Sequence, residues 1–408
     1  MHVSSPPQRM ITTLAQLRSA MEATRAIRAE IVREMLDGRT PAPSHAIQLE
    51  NTLSAMTPPD GGSTMELFLP DGQSMGVNLT REREELGKDL IYLKGGEKAL
   101  FDHLAATIDG FAAHLEAGLR FLGERRFNCF FTDRDGTVQS YHGRYATSVQ
   151  SAFSAHFLCR FACARTRRPV MLTSAPMRGP GILDVTAIPS GVFAYGASKG
   201  REYRDPAGNQ GTLPLSPRQK SLLADLNQRL HELVLRPEYE VFTLIGSGLQ
   251  CKFGQTTVAR QDMDGSIATS RSLEFAEAVR RVVAALDPEG THFCIEDTGL
   301  DLEIILTVDD GAGGVKDFDK GDAVAYLDRA MGLGVADGPH LVCGDTPADI
   351  PMALAAAAQG AETLAIFVGC GETGAGTVRD ALPEALFLPH PDMLVALLGA
   401  AAQGSGRC

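Results

Sequence analysis

The stretch "NCFFTDRDGTVQS", residues 128–140, decides how the chain is read. A run of apolar and aromatic residues ends abruptly in Asp133 and Asp135, followed by Gly136-Thr137. Charge at the end of a buried strand is costly unless something compensates it. Two carboxylates at i and i+2 of an extended segment point the same way. That arrangement suits metal or phosphoryl chemistry better than it suits packing.

Strand and helix alternate on both sides of this stretch. "FNCFF" (127–131) leads to the aspartates and a helix follows at about 146–165. The strands "RPVMLTSAP", ending in Thr173-Ser174, and "SGVFAYGAS" (190–198) come next. Alternation of this kind predicts a doubly wound, Rossmann-like parallel sheet, an α/β fold class. The pattern then switches. A helix at 215–235 precedes strands "YEVFTLIGS" and "CKFGQTTVARQ", and a helix at 271–286 precedes "THFCIEDTG" and "LDLEIILTV". Helix-strand-strand, twice over, predicts an α+β module with four antiparallel strands and two helices on one face. A Gly-rich link at 309–319 then brings Lys320 to the start of a helix. "PHLVCGDTPADIPMALAAAA" is again strand, acidic loop and helix, and "ETLAIFVGCG" with "ALFLPHPDMLVALLGAA" completes the tail. The module is therefore an insertion: 126–210 and 309–408 form the core and 211–308 the cap.

Residues 1–125 read as mainly helical. Leu14, Leu17, Met21, Ile27, Ile31 and Met35 mark an amphipathic helix over 11–37, which Gly38 and "RTPAPSH" stop. A short helix at 46–56, a hairpin turning on Asp71-Gly72 and a long helix at about 95–123 follow. This leader either packs over a neighbouring domain or supports a homo-oligomer; packing is the preferred reading.

Length and composition bound the function. With 408 residues the chain can hold two or three domains, and 44% apolar with 22% charged residues is ordinary for a globular protein. A net charge of −12 argues against a general nucleic-acid binder. It leaves an anionic small molecule open, because a metal or a few basic groups reverse the field locally. The eight cysteines are scattered without a C-x-x-C pair and read as buried reduced thiols. No signal-peptide core and no 18-residue apolar run is present, so the expectation is a cytoplasmic protein with no membrane partner. "GCGETGAGT" (369–377) holds a G-x-G-x-x-G, but too little chain follows for a dinucleotide-binding unit, and it reads as a loop.

Four segments fall at strand ends of the one doubly wound domain: Asp133/Asp135, Thr173/Ser174, Lys320, and Asp345/Asp349. Ligands collect at the carboxyl ends of strands in such sheets. The order of these segments, with an insertion between the second and third, resembles phosphatases of the haloacid-dehalogenase superfamily. The cap's repeat and the Gly-Lys type of third motif are similar to the trehalose-6-phosphate phosphatase and sucrose-phosphate phosphatase branch. The resemblance covers about 127–400. It implies that Asp133 attacks phosphorus to give an aspartyl-phosphate, and that Asp135 protonates the leaving alkoxide and then activates water. It implies Mg²⁺ on Asp133, the main-chain carbonyl of Asp135, and Asp345, with Asp349 orienting the metal's waters or ligating directly. Thr173, the preferred choice over Ser174, would bond a phosphoryl oxygen, Lys320 would neutralise charge, and the Asp135–Thr137 turn would offer backbone N–H groups. The cap would supply sugar recognition from Lys252, Gln255, Arg260 and Gln261 on its second strand and Glu296 and Asp297 on its third. Lys252 and Arg260 share a face if that strand is unbroken. Lys199, Arg201 and Glu202 line either the cleft or the hinge. Two features depart from the family pattern. Ala175-Pro176 follow Thr173-Ser174 directly and Arg178 comes later, and "GDTPADIP" is poorer in acids than the usual fourth motif. The expectation is a Mg²⁺-dependent sugar-phosphate phosphatase, with a sugar phosphomutase and a non-catalytic sugar-phosphate binder as alternatives.

Overall fold

The structure, a computed structural model, describes residues 10–403 apart from 59, 70, 71, 73, 141, 142, 310–314 and 317. The expected turn residue Asp71, the middle of the Gly-rich link and Cys408 lie outside the described residues.

The leader comprises α1 (Leu14–Leu36), α2 (Pro43–Ala55), the antiparallel hairpin β1 (Thr64–Phe68) and β2 (Ser74–Asn78), α3 (Thr80–Thr107) and α4 (Phe111–Leu122). Thr13 caps α1 by accepting from the Gln16 N–H at 3.1 Å, and Leu14, Leu17, Met21 and Ile31 form its buried stripe. The expected single helix at 95–123 is corrected. Helix α3 starts fifteen residues earlier, at Thr80, breaks its geometry at Gly96 (φ +74°), and stops before Gly110 (φ +68°), after which α4 begins. The early half escaped notice because its inward face carries Glu82, Glu85, Lys88 and Asp89, all buried, which erase the apolar period.

The core sheet has eight strands in the order β16-β15-β14-β3-β4-β5-β6-β7. Its first half is β3 (Phe127–Thr132), α5 (Ala152–Arg165), β4 (Thr166–Leu172), α6 (Ile182–Val185), β5 (Ala194–Ala197), β6 (Glu202–Arg204) and β7 (Gln210–Thr212). The cap follows as α7 (Pro217–Val234), β8 (Leu249–Lys252), β9 (Gln255–Ala259), α8 (Thr269–Leu286), β10 (Phe293–Asp297) and β11 (Asp301–Leu306). A small hairpin, β12 (Val308–Asp309) and β13 (Val315–Lys316), leads back to the core. The second half is α9 (Lys320–Met331), β14 (His340–Gly344), α10 (Ile350–Ala357), β15 (Thr363–Val368), α11 (Glu372–Ala381), β16 (Leu386–Leu388) and α12 (Pro391–Ala401). Six strands run parallel, and β6 and β7 extend the edge antiparallel. Both faces are covered, so the strands read as continuous apolar runs. Phe130, Met171, Leu341 and Ile366 face the α5 and α12 layer, whereas Phe131, Val170, Val342 and Phe367 face the α9 and α10 layer.

Leader helices lie over α5, which is buried on almost every side and accordingly apolar all round. Asp89 of α3 accepts from the Ala152 and Phe153 N–H groups at 2.7 and 3.3 Å, capping a core helix from the leader. It is also paired with Arg28 at 2.6 Å, both side chains fully buried.

Two cap strands are corrected. "YEVFTLIGS" is not a strand: Glu240–Thr243 forms a 3₁₀ turn whose Phe242 stacks on Phe275 at 3.9 Å between ring centroids. "CKFGQTTVARQ" is a hairpin, β8 turning into β9 at Phe253-Gly254, with Gly254 at φ +79°. Helix-strand-strand still repeats, in a sheet of order β10-β11-β9-β8. The cysteine reading holds for buried Cys129, Cys159 and Cys343, but Cys251 and Cys294 occupy outward positions of cap strands and are exposed, and Cys163 is disulfide-bonded. Among the described residues, no helix is long and apolar enough to cross a membrane.

Candidate active site

Asp133 stands at the carboxyl end of β3, the strand between β14 and β4, and its N–H donates to the Cys343 carbonyl at 3.0 Å. The chain turns at once: the Arg134 carbonyl accepts from Thr137, Val138 and Gln139. Gly136 (φ +88°) is required in this turn, because a Cβ there would lie 2.0 Å from Asp345 Oδ2. That absence of a side chain lets Asp345, from the loop after β14, approach the first loop. Thr137 Oγ1 lies 3.4 Å from both Asp133 Oδ2 and Asp345 Oδ1, spanning the two carboxylates.

Lys320 is the first residue of α9, whose start is capped by Asp319 accepting from Gly321 and Asp322. Its ammonium lies 2.7 Å from Asp133 Oδ1 and 2.5 Å from Asp349 Oδ1. Although burial disfavours its charge, the two carboxylates hold Lys320 above the ordinary lysine range. Asp349 is nearly inaccessible and both its oxygens are engaged. Oδ1 takes Lys320, and Oδ2 accepts from the Asp345 and Thr346 N–H groups at 3.1 and 3.2 Å. Burial opposes its ionisation, yet these partners hold it below the usual carboxylate range.

Asp133 and Asp345 are the crowded pair, with Lys320 on Asp133 alone. Burial pushes Asp133 up to about 7 against the pull of Lys320, and burial with repulsion from Asp133 pushes Asp345 up to about 8. Two crowded, desolvated carboxylates with a hydroxyl between them fit a hard divalent cation. Among the described residues, no three acidic, histidine or cysteine side chains gather into a ready metal cage. A cation here would complete its shell with main-chain oxygens and water, which is the habit of Mg²⁺.

A cavity of about 700 Å³ joins Asp133, Asp135, Thr173, Ser174, Lys199, Lys320 and Asp345 from the core to Glu296 and Glu303 from the cap. Thr173 is buried, its N–H on the Gly196 carbonyl and its Oγ1 accepting from the Ala175 N–H at 3.1 Å, while Ser174 is exposed. All four core segments singled out in the sequence thus reach one place. Of the six cap residues expected to recognise the sugar, Lys252, Gln255, Arg260, Gln261, Glu296 and Asp297, only Glu296 does. Lys252 does not line this cavity but is buried beside a neighbouring pocket, and burial lowers its ammonium's pKa against the pull of Glu303 and Asp301. Arg260, just beyond β9, is paired with Asp297 at 2.8 Å. Their expected common face fails because the hairpin puts them on either side of the turn at Gly254. Arg178 is mostly exposed and reaches only Asp184 at 3.5 Å.

Two residues were missed. Glu303 faces Glu296 across β10 and β11 in register, and the alternation of burial along β11 is the signal that marks its open face. Arg134, between the two aspartates, is fully buried; it pairs with Asp135, donates to the Ser148 carbonyl and lies over the Tyr145 ring at 5.6 Å. Nothing in the sequence separates it from a solvent-facing strand-end arginine.

The chain has recognisable relatives. Residues 130–394 match the family described as trehalose-6-phosphate phosphatase, C-terminal, and residues 13–110 match the trehalose-6-phosphate phosphatase N-terminal helical bundle domain. Alpha,alpha-trehalose-phosphate synthase [UDP-forming] 2 of Caenorhabditis elegans is 33% identical over 365 residues, covering 84% of this chain and 29% of that protein. Trehalose-phosphatase of Brugia malayi is 31% identical over 284 residues, covering 66% of this chain and 55% of that protein. The chain therefore spans about a quarter to three fifths of the length of the curated relatives it matches. A solved trehalose-6-phosphate phosphatase related protein aligns at 14% identity and a TM-score of 0.45, over 67% of this chain and 96% of that one. Two family matches, one on the leader and one across core and cap, agree with the order of strand-end residues: the chain belongs to the trehalose-6-phosphate phosphatase family.

Proposed function

We propose that the protein hydrolyses a sugar phosphate, with trehalose 6-phosphate the first candidate, through a phosphoryl-enzyme on Asp133. The observation that carries this reading is Asp133 in contact with Lys320 at 2.7 Å, beside Asp345, at the floor of a cavity roofed by the cap. An Asp133 oxygen attacks phosphorus as the ester P–O bond breaks, and Asp135 gives its proton to the leaving alkoxide. Asp135 then takes a proton from water, which attacks the aspartyl-phosphate, releasing inorganic phosphate and freeing Asp133. Lys320 and the Thr173 hydroxyl offset charge on the phosphoryl oxygens. A Mg²⁺ ion held by Asp133, the Asp135 carbonyl and Asp345 would neutralise the nucleophile and the phosphoryl group together. Asp349, with both oxygens committed, serves this site by positioning Lys320. Glu296 and Glu303 project hydrogen-bond acceptors at the far wall, suited to sugar hydroxyls.

The test is phosphate release from a panel of sugar phosphates with Mg²⁺, for wild type and Asp133→Asn. Release from a disaccharide phosphate, abolished by the substitution, supports both chemistry and substrate class. No release from any ester, a generic aryl phosphate included, sinks the hydrolase reading.

A further inference from the structure

The turn Ser198–Arg201, between β5 and β6, lies outside the residues assigned to the reaction, yet the parts that must align all meet on it. On the core side, the Ser198 N–H donates to the Ala175 carbonyl at 2.7 Å and the Lys199 N–H to the Thr173 carbonyl at 2.9 Å. The turn is thereby pinned to the loop carrying Thr173 and Ser174. A Cβ on Gly200 would stand 2.4 Å from Ala323 Cβ, so the turn also presses on the first turns of α9, the helix that begins at Lys320.

On the cap side, Ser198 Oγ accepts from the Phe253 N–H at 2.9 Å and donates to Glu202 at 2.7 Å. Arg201 Nη1 donates to the Gly254 carbonyl at 2.7 Å and the Leu306 carbonyl at 3.3 Å, and Nη2 donates to Leu306 at 3.2 Å. Gly254 is the turn of the first cap hairpin and Leu306 is the last residue of the last cap strand. One planar guanidinium therefore binds two distant points of the cap at once, a task suited to a rigid fork of donors. It is 1% exposed and lies over the Phe318 ring at 5.4 Å, two residues before Lys320. Ser198 and Lys199 adopt φ of +52° and +58°, a left-handed pair that non-glycine residues hold only where their surroundings over-determine it. Lys199 lines the cavity.

We propose that Arg201 is a positioning residue, the latch that seats the cap on the catalytic core, and that it favours esters large enough to touch the cap over small ones. This rests on the phosphatase reading, so the experiment separates the two.

Full-length wild type, Arg201→Met, Arg201→Lys and Gly254→Ala are compared. The glycine variant attacks the same contact from the cap, since its Cβ would lie 2.2 Å from Arg201 Nη1 at a φ of +79°. Both Arg201→Met and Gly254→Ala are expected to lower kcat/KM for trehalose 6-phosphate by about 100-fold while changing that for 4-nitrophenyl phosphate less than about threefold. Arg201→Lys, which keeps the charge and loses the fork, falls between wild type and Arg201→Met. The double variant adds little to either single one, because both break one contact. Amide hydrogen exchange accelerates across β8, β9 and β11 and stays unchanged in β3, β14 and α5. Equal proportional losses for the two esters, or unchanged exchange in the cap strands, overturn the latch. Should wild type cleave neither ester, the phosphatase reading fails and the exchange comparison alone decides the latch.

Discussion

The leader meets the core largely through buried or half-buried polar side chains, most of them ionised, whereas the cap meets it largely through main-chain carbonyls held by one arginine. Lys88 of α3 lies between Glu85 and Asp392 at 2.5 and 2.7 Å, Arg160 of α5 reaches Glu97 at 2.8 Å, and Tyr92 bonds His156 at 2.7 Å. Arg28 adds the Val149 carbonyl to its pairing with Asp89. Removing one partner from such a network strands a desolvated charge, which costs about 3–5 kcal/mol. The bonds between cap and core, from Arg201 to the Gly254 and Leu306 carbonyls, from the Phe253 N–H to the Ser198 hydroxyl, and from the Tyr145 N–H to the Gly246 carbonyl at 3.1 Å, are ones that water can replace on opening, at about 1 kcal/mol for a neutral bond and about 1.5–3 kcal/mol for one from the guanidinium. The difference is that breaking the leader's contacts strands charge, while the cap's contacts are ones that solvent can take over. A substrate has to enter a cavity whose far wall is the cap, so the weaker attachment is the useful one.

Four substitutions or conditions probe this contrast, the largest effect first. Asp133→Asn touches neither attachment; phosphate release should fall by at least about a thousandfold. Its thermal midpoint should hold or rise, since one of two crowded carboxylates loses its charge; a collapse in thermal stability would mean that Asp133 is needed for the fold itself. Asp89→Ala breaks the leader's hold on α5 and leaves Arg28 buried without its carboxylate, at about 3–5 kcal/mol in urea unfolding. A loss under about 1 kcal/mol would show that the leader is as loosely held as the cap.

Acid probes the same interface. Burial lowers His156 from 6.5 to about 4, so the folded protein keeps this imidazole neutral against Tyr92. The unfolded chain then binds the proton first, and stability fully present above pH 6.5 is lost as the pH falls toward 4, by about 3 kcal/mol. His156→Gln should flatten that part of the pH profile, measured by urea unfolding at each pH. Smallest of all, Arg280→Ala removes a partly exposed ion pair with Asp297 on the cap and should shift stability by less than about 0.5 kcal/mol. A loss of several kcal/mol there would show that the cap's own surface pairs, not its buried core, hold it together.

The catalytic strand was legible because its two signals agree: a strand buried on both faces, and charge placed at its carboxyl end. Asp133, Lys320, Asp345 and Thr173 come together because each follows a strand or begins a helix at the same edge of the sheet. Less could be read where polar residues face inward. Glu82, Lys88 and Asp89 hide the first half of α3, and Gly254 hides a turn inside what reads as one strand. That turn is why Lys252 and Arg260 were expected on one face and are not. Arg201 was legible only as a residue near the cleft or hinge, because its partner carbonyls lie 53 and 105 residues away. Arginine's long reach leaves no periodic trace in the chain.

The position of β3 at the centre of the sheet has a consequence for how the chain is built. Its neighbour β4 is made almost at once, but β14 pairs with it across about two hundred residues, with Cys129 bonded to His340 at a separation of 211. The whole cap is synthesised in between. Until then β3 has one open edge, and long-range parallel pairing is slow to form. The leader, made first, is already available to cover α5 during that interval. On the ribosome, the leader helices are in place to shield the apolar α5 layer while β3 still waits for β14.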